Sequence, residues 1–391
     1  MYSCGPSIYM LPHIGNYRTF IFEDLLQRYL EYSGYRVTRL ITVTDIEDKA
    51  LAEAEKEKTS WKKLTERNTE TFLQDIRLLK MAFPTYAAKS STSIDQAVTI
   101  IKALLARGFA YWHKHEGRRN VYYAPPKFEH FGKLSKLDMS KWPRKKRRFH
   151  MDTYPGTPWN RGDFILWHGF RPGDKAYWNT AIGRGRPSWN VQDAAMITKH
   201  LGDTVDIACG GVDNLVRHHD YTIAVAESFT GKRLAHYWLH AKHLLVDGKK
   251  MSKSKGNIIY LQDLIEKGYS RDHIRFVLLR THYRKRLNFT ITELKTTGQK
   301  LDALRKMVFG IQSIETTTAT SEEAEKLVGD IISKFETNMN DNLDVETAFD
   351  EILRILSRLD SLARNRKLSL KDSSLAIASL RRIDEVLQVI F

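Results

Sequence analysis

Cysteine is scarce in this 391-residue sequence: Cys4 and Cys209 are the only two. A disulfide framework is therefore excluded, and a reducing cytoplasm fits. No apolar run approaches membrane-spanning length, and no leader pattern opens the chain. Both absences predict a protein with no membrane association. Internal repeats are missing as well, which excludes solenoid and propeller architectures. Acidic residues are in deficit, with 46 Asp and Glu against 62 Lys and Arg, for a net charge of +16. That excess is spread over several segments and points to a polyanionic partner such as nucleic acid. What is present in quantity is apolar: 42% of residues, beside 28% charged. Such a balance suits a globular chain of two or three domains with a large core.

The opening "MYSCGPSIY" reads as the end of a strand followed by a Gly-Pro turn. The expectation is a native segment ahead of it that this sequence does not contain. Phe20, Phe22, Leu25, Leu26, Tyr29 and Leu30 then recur at helical spacing, and Gly34 is a natural stop. "YRVTRLITV" follows as a β-branched strand ending at "TDIEDKA". Strand, loop, helix and strand make a βαβ unit, hence a parallel sheet. Cys4, His13 and residues 44–48 fall at strand C-terminal ends, where such sheets take their ligands.

Beyond Pro84, "SIDQAVTIIKALLARGFAYW" reads as a helix entering a strand. An aromatic, basic stretch reaches about residue 185. It includes "WPRKKRR" (142–148), a solvated loop or a clamp on a phosphate backbone; a nuclear import signal is the other reading. "DIACGGVD" ends a strand at paired glycines. From Leu261 onward the pattern is almost wholly helical. "AFDEILRILSRLDSLA" has a 3.6-residue period, and "ETTTATSEEAE" reads as a linker between helices.

Two short stretches carry chemistry. In "LPHIGNYRTF", His13, Gly15 and Asn16 stand at a helix start, where backbone N–H groups favour phosphate. In "VDGKKMSKSKGN", Lys250 and Lys253 flank Met251 in a loop rich in small residues. Two lysines there suit a transient triphosphate or pyrophosphate. A cap histidine and a lysine-rich turn are the bland alternatives for each stretch alone.

Together, "HIGN" and "KMSKS" resemble the two signatures of class I aminoacyl-tRNA synthetases. "MYSCGPSIYMLPHIGNYRTF", "TDIEDKA", "GDFILWHG", "GRGRPSWNVQDAAM" and "YWLHAKHLLVDGKKMSKSKGN" resemble, in order, the blocks of the cysteinyl-tRNA synthetase family, and "LLRTHYRKRLNFT" resembles its junction to a helical domain. The resemblance implies an α/β fold: a Rossmann-type doubly wound parallel sheet over 1–260 with an inserted subdomain near 85–185. A C-terminal α-helical bundle of tRNA-binding type would follow over 261–391. The chain stops about where the family passes into its anticodon-binding portion, so that portion is expected to be absent.

The activity implied is ATP-dependent activation of an amino acid and its transfer to tRNA, that of cysteine by preference, with Mg2+ as cofactor. By motif match, His13 and Asn16 would hold phosphate oxygens, with Asn16 replacing the second histidine of the class signature. Lys250 and Lys253 would stabilise pyrophosphate. Gly15, Gly210, Gly211, Asp213 and Met251 would bind ATP, with Asp213 near the ribose. Thr44 and Trp189 would shape the amino-acid pocket with Cys4.

The family binds its substrate thiolate to zinc through two cysteines, a histidine and a glutamate. Cys4 and His218 match two of these ligands. Asp193 stands at the second cysteine and Thr222 at the glutamate. The candidate metal ligands are therefore Cys4, His218 and Asp193, and the expectation is a weak or empty zinc site. Asp220, His219 and Cys209 are the neighbours able to compensate. Two further readings stay open. One is a paralogue that joins another amino acid to a small amine or carrier, as the mycothiol ligases do with cysteine, although those keep the zinc ligands. The other is a non-catalytic RNA-binding relative, against which intact His13, Lys250 and Lys253 count.

Overall fold

A computed structural model describes residues 1–115, 117–141, 162–251, 256–315 and 321–391. They form two compact units, each assembled from separate stretches of chain. The first comprises Met1–Pro12, Thr38–Leu73 and Pro84–His240. The second comprises His13–Val37, Gln74–Phe83 and Ala241–Phe391. The basic run 142–148 and Lys253 lie outside the described residues, as do residues 316–320 of the expected linker, whose end (322–325) is instead the first turn of a helix capped by Ser321.

Strands of the first unit are, in chain order, β1 (Tyr2–Ser3), β2 (Leu40–Val43), β3 (Tyr86–Lys89), β4 (Ala110–His115), β5 (Arg118–Tyr123), β6 (Phe164–Gly169), β7 (Trp178–Thr180), β8 (Gly183–Pro187), β9 (Val205–Gly211) and β10 (Ala235–Ala241). One sheet has the order β10-β9-β1-β2-β3. Within it β9, β1, β2 and β3 pair in parallel, with Tyr2 in register with both Leu40 and Ala208. The first strand of the chain is thus central, and later strands are added outward on each side. That arrangement places a topological switch point between β1 and β9, the crevice where open α/β sheets bind ligands. The second sheet, β4-β5-β6-β8-β7, is antiparallel.

Helices α1 (Ile14–Tyr32), α2 (Asp48–Lys56), α3 (Trp61–Leu78), α4 (Ile94–Ala106), α5 (Trp189–His200) and α6 (Asp220–Thr230) alternate with these strands along the chain. In α4, the helix expected ahead of a strand, the buried residues are Ile94, Ala97, Val98, Ile100, Ile101 and Leu104. By contrast, α5 buries every residue from Asn190 to Ile197, charged Asp193 included. The core joins Tyr2, Leu40, Trp167, Met196, Tyr221 and Val225 into one cluster. Burying each large apolar side chain in it contributes roughly 1.5–3 kcal/mol.

The second unit is mostly helical. After β11 (Leu244–Val246) and β12 (Lys249–Lys250) come α7 (Leu261–Glu266) and α8 (Arg271–Arg280), then β13 (Leu287–Phe289). This third strand is a short exception in a region read as almost wholly helical, and it completes a small sheet by pairing in parallel with β11. Helices α9 (Ile291–Gln312), α10 (Glu322–Asn340), α11 (Val345–Arg364) and α12 (Leu370–Leu387) follow. As the period predicted, α11 buries Val345, Phe349, Ile352, Leu356 and Leu359 along one face. Among the described residues no helix is long and apolar enough to cross a membrane.

The helical unit is locked by an ion pair. Arg275 and Asp24 are both 0% exposed, with Nη2 and Oδ2 2.7 Å apart. Arg275 also donates to the Leu79 carbonyl at 2.8 Å and the Leu387 carbonyl at 3.0 Å. Asp24 in turn accepts from Arg28 at 3.0 Å and the Ala82 amide at 2.7 Å. Removing one partner of such a pair strands a buried charge. Asp24→Ala should therefore lower stability by about 3–5 kcal/mol. Urea denaturation followed by circular dichroism measures it, and a loss below about 1 kcal/mol would contradict this role.

Candidate active site

Strand β1 delivers Cys4 to the switch point. The Cys4 amide donates to the Cys209 carbonyl of β9 at 3.0 Å, continuing the parallel ladder. Gly5 then turns against β2, its amide donating to Thr42 Oγ1 at 3.1 Å. A Cβ on Gly5 would lie 1.7 Å from the Thr42 carbonyl oxygen, so this approach requires glycine. Thr44 is fixed by backbone bonds from its amide to Pro6 (3.1 Å) and to its carbonyl from Ile8 (3.0 Å). The Ser7 hydroxyl beside it donates to Glu47.

Asp193 projects from α5 and is 2% exposed. Its Oδ2 accepts from the Tyr2 hydroxyl at 2.5 Å, pairs with His218 Nε2 at 2.5 Å and lies 4.0 Å from Cys4 Sγ. Burial by itself would raise the carboxyl. The His218 charge and hydrogen bond, with those of Tyr2 and Thr42, instead hold it below the usual range. Burial likewise opposes charge on His218, yet Cys4 and Asp193 push its pKa well up. The pair is thus carboxylate and imidazolium. Burial raises the Cys4 thiol, with His218 opposing, and Asn214 donates to its sulfur at 3.0 Å.

The two adjacent histidines occupy a single π-type turn, Leu215–His219, immediately before α6. Such turns re-aim side chains and are frequent at functional sites. Trp189, the first residue of α5, stacks on the His218 ring at 5.4 Å. Thr222 donates its hydroxyl to the His218 carbonyl at 2.8 Å. His219 is 0% exposed, and its Nδ1 pairs with His240 Nε2 at 2.7 Å. Its Nε2 has no hydrogen-bond partner. Burial, with His218 and His240 nearby, pushes its pKa well down, so the ring is neutral. A Cβ on Gly210 would sit 2.8 Å from the His219 ring, so that glycine makes room for it. Gly211 leads into the short turn Val212–Asn214, where Asp213 is exposed. Of the other neighbours, Asp220 accepts bonds from Ser135, and Cys209 is buried in β9.

The phosphate-binding candidates belong to the second unit. The His13 amide donates to Asn16 Oδ1 at 2.9 Å, and His13 Nδ1 accepts from the Asn16 amide at 3.3 Å. This reciprocal cap starts α1. An accepting Nδ1 leaves the ring proton on Nε2, so His13 presents a neutral N–H donor. Asn16 likewise keeps its NH2 group as the donor end. A Cβ on Gly15 would lie 2.6 Å from Met251 Cε, which brings the two signature stretches together within this unit. Lys250 is exposed on β12.

Tyr2, Glu47, Asn214 and His240 were not singled out from sequence. Their partners stand far away along the chain, and no local pattern marks them.

Comparison with known proteins follows this geometry. A family model described as tRNA synthetases class I (C) catalytic domain matches residues 1–299. Cysteine–tRNA ligase of Chlamydia pneumoniae is 35% identical over 393 residues, covering 100% of this chain and 82% of the relative. Its counterpart in Brachyspira hyodysenteriae is 34% identical over 392 residues, covering 99% and 81%. Mycobacterium tuberculosis methionyl-tRNA synthetase bound by methionyl-adenylate superposes with a TM-score of 0.70 at 15% identity, covering 100% and 89%. The LeuRS–tRNA–LeuAMS complex of Agrobacterium radiobacter gives 0.73 at 10%, covering 100% and 83%. The fold is therefore that of the class I aminoacyl-tRNA synthetases. Within that class, the chain belongs to the cysteine–tRNA ligase family.

The family implies zinc. A thiol, two imidazoles and a carboxylate surround the Cys4 position, and these are donor types that zinc accepts. Cys4, His218 and His219 offer ligand atoms all within 4.8 Å of one another. The residues present therefore fit a zinc ion, although Thr222 contributes nothing to it.

Glu47 gives a test of this pocket's burial. Burial raises its carboxyl from 4.5 to about 7, against the pull of Lys49, Arg186 and His218. The folded pKa exceeds the unfolded one, so the stability contributed by the neutral form is complete below pH 4.5 and lost as pH rises through 7. Glu47→Gln should remove that slope, gaining on the order of 1–3 kcal/mol relative to wild type at pH 8 but not at pH 4.5. Urea midpoints at the two pH values measure it; an unaltered slope would show that Glu47 is not so buried.

Proposed function

We propose that this chain activates cysteine with ATP and transfers it to tRNA. The observation that supports this most is Cys4 at the switch point, within 4.0 Å of the Asp193–His218 pair on which Trp189 stacks. A crevice so built offers a sulfur, an imidazole and an aromatic face to a small substrate side chain.

The reaction asks for position and charge stabilisation rather than covalent help. The substrate carboxylate attacks the α-phosphorus, the bond from that phosphorus to the α,β-bridging oxygen breaks, and the β- and γ-phosphates leave together as pyrophosphate, with the aminoacyl-adenylate left behind. His13, through its Nε2–H, and Asn16, through its NH2 group, donate to phosphate oxygens. Lys250 and Lys253 stabilise the charge that grows on pyrophosphate. Gly15 lets the chain approach the phosphates closely, with Met251 packed over it. Gly210, Gly211 and Asp213 take the nucleoside, Asp213 at the ribose. Thr44 and Trp189 bound the amino-acid pocket. Mg2+ accompanies ATP as its counter-charge, and zinc, when bound, selects a thiolate over a hydroxyl. The basic surface binds tRNA through its phosphates.

ATP–pyrophosphate exchange over all amino acids tests the reading. Cysteine should support it best, and exchange driven by a different amino acid alone would overturn the assignment. Lys253→Ala should slow adenylation by about a hundredfold or more with ATP affinity nearly unchanged, as when one transition-state charge stabiliser is removed. Single-turnover adenylation measures this, and an unaffected rate would remove the lysine from the mechanism. tRNA binding should weaken steeply with salt and on charge reversal over 144–148, because phosphate contacts release counterions. Filter binding from low to high salt checks it, and affinity independent of salt would count against a phosphate-reading surface.

A further inference from the structure

We infer that His219 is a metal ligand, filling the coordination position that Thr222 cannot, beside Cys4 and His218. The inference deepens the function proposed above, because that reading supplies the identity of the metal as zinc.

Thr222 is excluded by its own bond. Its hydroxyl is committed to the His218 carbonyl one turn back, at 2.8 Å. His219 shows the opposite condition. Its ring is fully buried, and Nε2 has no hydrogen-bond partner. Leaving a buried nitrogen so unsatisfied is unfavourable, and a ligand that accepts its lone pair resolves it. His219 Nδ1 lies 2.7 Å from His240 Nε2; metal binding through Nε2 requires the tautomer in which Nδ1 is the donor of that bond. A bond of this kind behind the ring is the usual companion of a metal-binding histidine.

The backbone is what makes the substitution possible. Consecutive residues of an α-helix diverge by about 100° and do not share a face. In the π-type turn the His218 and His219 rings lie 5.5 Å apart, and both offer atoms within 4.8 Å of Cys4's donor. Ligands of one tetrahedral zinc stand roughly 3.5 Å apart, so side-chain rotation closes the remaining distance. Gly210 admits the His219 ring, since a Cβ there would sit 2.8 Å from it. Asp193 and His240 each hold one nitrogen of one imidazole. One thiolate and two imidazoles leave a fourth position open, the composition of a zinc site that binds substrate rather than of a closed structural one.

The test is zinc affinity, by competition with a chromophoric chelator, together with the cobalt-substituted absorption spectrum. Wild-type protein should hold one equivalent, with a thiolate-to-cobalt charge-transfer band that Cys4→Ser abolishes. His219→Gln should weaken zinc by more than about 100-fold, beyond the range attributed to outer-shell partners. Adding Thr222→Glu to that variant should restore affinity to within about tenfold of wild type. Unchanged affinity in His219→Gln, or wild-type protein that takes up no zinc, overturns the inference. Should His219→Gln fail to fold, histidine-ring nitrogen NMR of wild type decides: zinc should shift two rings of the cluster, and a shift of His218 alone overturns it. Cysteine-dependent exchange in zinc-free protein would sink the metal site and leave the function standing. Tightly bound zinc with no exchange would do the reverse.

Discussion

One buried carboxylate, Asp193, organises the switch point. An ionised carboxylate inside an apolar cluster is tolerated only when it is paired and hydrogen-bonded. Tyr2 of β1, His218 of the π-type turn and Thr42 of β2 meet that demand. In doing so they fix the spacing of strand, turn and helix around Cys4. The same demand sets protonation: Tyr2 stays a neutral donor, burial and Asp193 having raised its pKa, while His218 is held as a cation. The chemistry of the pocket follows from a single acid on α5.

The second unit has its own buried acid, and the contrast is informative. Around Asp24 and Arg275 the charges meet side chains and carbonyls on every side, and neither residue leaves a buried side-chain atom without a partner. Such a network does structural work and nothing more. Around Asp193 the satisfaction is incomplete, because His219 Nε2 is left over. Incomplete satisfaction of this sort is uncommon in folded proteins.

Much of the architecture was legible in the sequence because its causes are local. Phe20, Phe22, Leu25, Leu26 and Tyr29 do lie buried in the helix expected there, α1, although burial runs unbroken from Phe20 to Gln27 rather than along one face, and "DIACGG" ends as β9 at Gly211. The antiparallel sheet β4-β5-β6-β8-β7 was not legible. Its strands bury without clean alternation, and the register of β5 against β6 slips at Val121 and Tyr122. Strand β13 was missed because three residues within a helical pattern carry no period. In the site, motif matching placed Cys4, Asp193, His218 and Trp189, which the fold does gather in one unit. Tyr2 reaches Asp193 across 191 positions, and His219 reaches His240 across 21. Such pairings leave no trace in local sequence. The π-type turn was equally hidden, since a one-residue change of winding leaves composition untouched.

The interleaving of the two units has a consequence for the ribosome. Helix α1 is made early in this sequence and meets Gln74–Phe83 soon afterwards, but the rest of its unit begins only at Ala241. Roughly 200 residues must be synthesised between Val37 and that point, about 10–40 s at ordinary elongation rates. Throughout that interval Phe22 and Tyr29 lack the rings they pack against in the finished unit, Tyr283 and Phe335. A pause in translation before residue 241 would prolong the exposure of those two rings. The order of the genetic text, not only its content, sets how this molecule reaches its fold.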